Sequence, residues 1–326
     1  MGHTDMIDSL FCELVDRLAK LLPGFGEVLG IDSKAIRSRS RRASKRRRPD
    51  MRGELDADKG VKSYRGKRSD GSTWETIKSW FGFKLHLVVD AEYELPVAYK
   101  VTRASASDVT TGKEMIEDLA SERPSVLENA GFFLGDRAYD DTDLITGLWD
   151  SYGIKPVIDI RDLWKIDGAR LVHGHRNASH NYRGTVYCHC PVECTKRPMA
   201  FGGFEKDRGT LKYRCPAKHY GLECAGRERC WISDSIRIDI ESNRRIFTPL
   251  ARSSYKWKTI YKKRSAVERV NSRLDESFGF EKHFIRGIKK MKVRCGLALI
   301  VMLGMAYGRV KEKQYERLRS LVTSAA

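Results

Sequence analysis

An α/β fold with helices on the faces of a sheet follows from three features of the sequence. Short apolar strand-like runs alternate with helical periodicity, turn residues separate them, and two of the runs carry carboxylates among apolar neighbours. Residues 6–22 have Ile7, Leu10, Phe11, Leu14, Leu18 and Leu21 at helical spacing and stop at Pro23-Gly24, which predicts an amphipathic helix in an N-terminal segment 1–26. Val28–Ile36 reads as a strand carrying Asp32. A carboxylate there is costly unless it is exposed at an edge or neutralised by a cation.

Phe81–Asp90 and Leu95–Arg103 read as two strands joined by the short AEYE turn, hence a hairpin. His86 in the first of them fits a packed strand residue better than a ligand. Ser107 and Asp108 are candidate caps for a helix through Ala120. Gly131–Asp136 (GFFLGD) is a short buried strand ending on a carboxylate, and Asp140 and Asp141 can cap the helix that runs on through Trp149. Asp136 has no such simple explanation, because α/β sheets collect ligand groups at the C-terminal ends of their strands. Ile154–Ile160 is a further strand, and a last helix runs from about Ile288 to Tyr307. The core is therefore expected in two parts, 27–160 and 251–326, interrupted by an insertion over 161–250. The apolar run Cys295–Tyr307 is too short to span a bilayer. Asp5, Asp8, Glu13 and Asp16 near the start fit no targeting peptide. A soluble, cytoplasmic, nucleoid-associated protein with no membrane partner is the expectation.

Lys and Arg number 61 against 43 Asp and Glu, a net charge of +18 that points to a polyanionic partner, nucleic acid ahead of membrane surface. The excess is densest from Arg37 to Gly71, read as a mobile basic arm or loop. Its Arg41, Arg42, Arg46, Arg47 and Arg48 suit phosphate contact without base reading, and an RNA-binding tail or nuclear-localisation signal would have the same composition. Six of the eight cysteines crowd between Cys188 and Cys230, which in an intracellular chain argues for metal over disulfide. Their spacing is irregular. Cys190, Cys215, Cys224 and Cys230 are the candidate thiolates of a tetrahedral zinc site, with Cys188, Cys194, His189 and His219 as substitutes, and reduced thiols in a small β-rich excursion as the alternative.

Tyr261–Phe280 (YKKRSAVERVNSRLDESFGF) has no Pro, and no Gly before Gly279, so it predicts one helix of about five turns. Val267, Val270, Leu274 and Phe278 form its apolar stripe, with Tyr261, Arg264, Glu268, Asn271 and Asp275 alongside. Glu268, one turn after Arg264, stands where a carboxylate would hold a metal over a phosphate; the two also fit a surface ion pair. Asp32, Asp136 and Glu268, remote in the chain, each occur where a ribonuclease-H-like mixed sheet carries a metal ligand. Together they imply two divalent cations about 3.5–4 Å apart, Mg²⁺ by oxygen chemistry with Mn²⁺ as a substitute.

Four segments carry a resemblance: GIDSKAI, GFKLHLVVDAEYELPVAYKVTRASASD, LGDRAYDD and YKKRSAVERVNSRLDESFGF. They resemble bacterial insertion-sequence transposases of the DDE superfamily, close to the IS4/IS5/IS1182-like group. The resemblance implies that Asp32, Asp136 and Glu268 bind two Mg²⁺ while Tyr261 and Arg264 hold the DNA strand near the cut. The last position of the family's tyrosine, arginine, glutamate and lysine signature is Asp275 here, leaving Arg273 or Lys282 as replacement contacts. It further implies phosphodiester hydrolysis at element ends, strand transfer to target DNA, a tolerated insertion ahead of the glutamate helix and a homodimer on double-stranded DNA. Such transposases usually carry an N-terminal end-recognition domain, and the first strand here begins at Val28. End recognition is thus expected from another polypeptide or the basic arm, unless the copy is truncated. A non-catalytic, domesticated or truncated zinc-containing DNA-binding protein is the alternative, with a general nuclease as a third.

Overall fold

The computed structural model describes residues 3–42, 53–165, 168–193, 195–232 and 234–321. Along the chain, α1 (His3–Leu21) precedes β1 (Val28–Arg37), β2 (Asp58–Lys67), β3 (Thr73–Asp90) and β4 (Leu95–Arg103). Helix α2 (Asp108–Glu122) and the short α3 (Pro124–Glu128) lead to β5 (Phe132–Gly135), α4 (Thr142–Tyr152) and β6 (Lys155–Ile158). A run of short elements follows: β7 (Arg170–Val172), β8 (His175–His180), β9 (Val186–His189), β10 (Lys196–Pro198), β11 (Ala200–Glu205), β12 (Thr210–Arg214), α5 (Pro216–Tyr220) and β13 (Ser235–Asp239). The chain ends on α6 (Tyr255–Lys262), α7 (Ser265–Phe278) and α8 (Ile288–Lys311). It divides into two compact units, Met1–Ala130 with Ser265–Ala326, and Gly131–Arg264.

The first unit is built on antiparallel pairing. β3 takes β1 along one edge, from Leu29↔Asp90 to Arg37↔Gly82, and β4 along the other. Its C-terminal half is buried on both faces, with Phe83, Leu85, Leu87, Val88 and Val89 fully enclosed, which is why that half reads as an unbroken apolar run. Ser107 caps α2 by accepting the Thr110 N–H at 3.3 Å. Helix α8 is long and apolar enough to cross a membrane by length and composition, yet half of its most apolar window is buried within the protein, where it packs on α1 and β4.

The basic segment departs from expectation. Residues 58–67 are a strand, and β3 starts at Thr73, well ahead of Phe81, so much of the anticipated loop is a two-stranded ribbon. The turn is closed by Arg68 N–H to Ser72 O and Gly71 N–H to Arg68 O, with Gly71 at φ 84°. Because both faces of the ribbon meet solvent along Thr73–Ser79, no apolar alternation marks it in the sequence.

His86 is packed, as its strand position implied. Its Nε2 lies 2.9 Å from Thr102 Oγ1 and its Nδ1 4.0 Å from Asp108. Burial lowers its pKa to about 4, with Lys84, Lys62 and Lys100 acting in the same direction against Asp108. The unfolded chain therefore takes up a proton on falling from about pH 6.5 to 4 that the folded chain refuses. The stability tied to His86 is complete above that window and is lost as pH drops through it, by at most about 1.4 kcal/mol per unit. Urea unfolding at neutral pH and near pH 5 should show this loss, and H86L should flatten it. An equal slope in the variant would assign the acid sensitivity to other groups.

The second unit contains the parallel pair β5 and β6, registered from Phe132↔Lys155 to Gly135↔Ile158 and linked through α4. Asp141 caps α4 through the Leu144 N–H at 3.0 Å, and Gly153 ends it in the left-handed region at φ 67°. Asp140 is not a cap. It is fully buried and receives Arg245 Nε at 3.0 Å and Nη2 at 2.6 Å.

The insertion forms two antiparallel sheets, β10-β9-β8-β7 and β11-β12-β13. They share an apolar core that includes Val186, Leu211, Tyr213, Ile236, Ile238 and Phe247. Arg252 is buried against this unit and donates to the carbonyls of Ile158, Arg245 and Ile246; burial lowers its pKa to about 10.

Candidate active site

In the first unit, Asp32 sits mid-strand on β1, half-buried, with Oδ1 accepting its neighbour's Ser33 N–H at 2.7 Å. Lys34, two residues on and hence on the same strand face, pairs with Asp275 of α7. Glu268 lies in the first turn of α7, exposed. Seven residues separate it from Asp275, so the two share a helix face about two turns apart. The Lys34–Asp275 pair thus registers the helix face that carries Glu268 against the strand face that carries Asp32. Val267, Val270 and Leu274 are fully buried beneath α7. A second clamp holds the helix: the buried Glu94 carboxylate lies 2.7 Å from Arg269 Nε, 3.6 Å from Arg273 Nη2 and 3.1 Å from Arg319 Nη1. Arg273 is thereby engaged in holding the helix to Glu94. Asp275, where the signature has a lysine, serves the same structural end.

Two oxygens on this face, Asn271 Oδ1 and Asp275 Oδ1, are buried without a hydrogen-bond partner. Unmatched buried acceptors are costly, and a hydrated cation beside them would supply the missing donors. The donor chemistry around Asp32 and Glu268 therefore fits a hard divalent ion.

In the second unit, Asp136 follows β5 at its C-terminal end, and Oδ1 accepts the Ala138 N–H at 2.8 Å to start a single tight turn, Arg137–Tyr139. Asp159 follows β6 in the adjacent register position, its N–H bonded to Gly135 O. Arg137 Nε at 2.6 Å and Arg183 Nη2 at 3.0 Å neutralise Asp159. Helix α6 packs on β6 and brings in Tyr261, whose ring stacks on Trp257 at 4.6 Å. Burial, then the carboxylates of Asp159 and Asp136, push the Tyr261 phenol up against the opposing pull of Arg264. The Arg264 guanidinium lies 5.9 Å from the centre of the Tyr261 ring. Asp136, Asp159, Arg137, Tyr261 and Arg264 thus form one electrostatic neighbourhood.

The single long helix expected over Tyr261–Phe280 is in fact two. Lys263 and Arg264 make i→i+3 bonds to Ile260 and Tyr261, which tighten and end α6 before α7 begins at Ser265. Tyr261 therefore belongs to a different helix from Glu268 and Arg264 to the turn between the two, so the angular argument that put all three on one flank does not hold. Asp159, Arg137 and Arg183 were missed, although Asp159 ends an apolar run as Asp136 does.

Arg41 and Arg42 are exposed; Arg46, Arg47 and Arg48 lie outside the described residues. Among the described residues no three His, Cys, Asp or Glu side chains form a group that could hold a metal ion. The zinc ligand set is divided accordingly. Cys190 and Cys224 influence each other's thiols, lowering the one and raising the other, and the Cys190 Sγ accepts the Glu193 N–H at 3.4 Å. Cys188, a substitute in the sequence reading, is the thiol beside Cys215, Cys230 and Cys224; burial first, then those thiols, push it up to about 11.

No curated protein and no solved structure matches the chain. A family model described as the transposase DDE domain matches residues 23–303, a span that contains Asp32, Asp136 and Glu268. The chain belongs to that transposase family.

Proposed function

We propose that the protein is an insertion-sequence transposase that cuts phosphodiesters at element ends and joins the freed 3′-hydroxyl to target DNA. The observation that carries this reading is the family match across residues 23–303; a net charge of +18 suits the DNA partner. Asp32, Asp136 and Glu268 are the residues that would hold a pair of Mg²⁺ or Mn²⁺ ions on a ribonuclease-H-like core. Bound there, the ions supply an activated oxygen nucleophile and stabilise the leaving oxygen of an in-line displacement. Tyr261, clamped between Trp257 and Arg264, positions the strand, and Arg264 offers its guanidinium to a phosphate. Arg137 and Arg183 occupy the two oxygens of Asp159, which leaves Asp136 as the carboxylate of that strand pair available to substrate-bound ions.

The test is strand cleavage and joining by purified protein on its flanking element ends, with and without Mg²⁺. Metal-dependent joining supports the reading, and cleavage without joining would make the protein a nuclease. A non-catalytic DNA-binding role is favoured by one observation, the lack of a three-carboxylate group among the described residues. It predicts DNA binding with neither product.

Zinc is the finer reading of the cysteine insertion, supported by its crowded thiols. The insertion has an apolar core of its own, unlike small domains that fold only on metal. Chelation is accordingly expected to leave its thermal unfolding temperature unchanged. A fall on chelation, with zinc recovered at one ion per chain, would restore the metal to the fold.

A further inference from the structure

The ribbon of β2 and the first half of β3 has no part in the chemistry above. Ten register pairs, from Asp58↔Gly82 to Lys67↔Thr73, extend it to about 30 Å. Two of its aliphatic residues are left in solvent, Ile77 64% and Val61 54% exposed. Lys59, Lys62, Arg65, Lys67, Arg68 and Lys78 outnumber Asp70 and Glu75 along it. On one face the ribbon is thin by construction. A Cβ at Gly60 would fall 2.5 Å from the Trp80 ring and one at Gly66 2.6 Å from the Trp74 ring, so both indoles lie flat against glycine backbone. At the root of the ribbon is a groove of about 540 Å³ lined by Arg37, Arg39, Arg41, Arg42, Lys59 and Trp80, with no acidic residue in its wall. Among the described residues none of these five cations is in an ion pair. Arg39 instead stacks 4.8 Å over the ring of Phe284, itself exposed.

Cations left without carboxylate partners repel one another, and the concentration of them in one concave wall is relieved by an anion that threads it. A two-stranded ribbon is also an element that the major groove of B-DNA admits, at about 12 Å wide. We propose that the ribbon lies along duplex DNA and that the arginine groove at its root grips the phosphate backbone of the same duplex. The proposal rests on the DNA transposase reading and adds a docking surface apart from the carboxylates. Its contacts are to phosphates, so they fix register rather than read sequence. Self-pairing of two ribbons, the other use of an exposed edge, would bring like charges together.

The experiment is fluorescence anisotropy with a short labelled duplex of arbitrary sequence, over a range of salt, for the wild type, R39A/R41A/R42A/K59A and the ribbon-face variant V61E/I77E. All these positions are at or near the surface, and thermal unfolding checks that each variant is folded. Removing four phosphate contacts should lower the log–log salt slope by about three to four and weaken binding roughly 10- to 100-fold near 0.1 M salt. V61E/I77E should weaken binding as well. E268Q serves as the control that separates the two readings, since it should bind duplex as the wild type does and fail to cut. If the wild type binds DNA steeply with salt and the ribbon and groove variants match it, this surface is not the dock, and the transposase reading stands. If the wild type does not bind duplex at all, both fall. A change in sedimentation of V61E/I77E with unaltered DNA binding would overturn the proposal in favour of contact between copies.

Discussion

Glu268→Gln is expected to lower strand cleavage by a factor on the order of 10² to 10³ or more, the loss typical of removing one group that stabilises developing charge, with little change in folding. The two effects separate because of where Glu268 stands. It is exposed in the first turn of α7, while the helix is held by Val267, Val270 and Leu274 below and by the Glu94 and Lys34 ion pairs at its flanks. The amide keeps the shape and loses the charge. Single-turnover cleavage beside an unfolding curve measures both quantities. Cleavage at wild-type rate would remove Glu268 from the mechanism, and a large drop in stability would recast it as a structural residue.

Asp140→Ala is expected to destabilise the unit Gly131–Arg264 by about 3–5 kcal/mol, the cost of stripping one partner from a buried ion pair. Asp140 is fully buried, and its two carboxylate oxygens take both nitrogens of the Arg245 fork as well as the Arg161 N–H at 2.8 Å. Without it, Arg245 keeps only the Arg161 carbonyl at 2.6 Å. Urea unfolding followed by Trp fluorescence checks the figure, and D140A/R245M should recover much of the loss by removing the stranded charge. A loss under about 1 kcal/mol would mean that water reaches the pair and screens it as at a surface.

Periodicity was a good guide wherever one face of an element is buried and the other is not. The first helix, β4, the Ser107 cap and the Asp141 cap all fall where the side-chain pattern put them. The ribbon was illegible because a two-stranded element wetted on both faces has no apolar side to reveal its period. The break between α6 and α7 was illegible for another reason. Lys263 keeps helical dihedrals, φ −67° and ψ −15°, and only the shift from i→i+4 to i→i+3 bonding ends the helix, so no Gly or Pro was needed. Asp159 was legible in principle, since KPVID ends on a carboxylate just as GFFLGD does. What distinguishes the two acids is long-range: Arg183, from the insertion, and Arg137 close on one of them.

The claim on which the mechanism depends is that Asp136 is a ligand to divalent cations. Titration calorimetry with Mn²⁺ on the wild type and on Asp136→Asn tests it most directly. Binding in the wild type that is lost in the variant, with the variant's unfolding curve unchanged, is the result predicted here. Identical Mn²⁺ isotherms for the two proteins would contradict it and leave Asp136 as no more than the cap of the turn that follows β5.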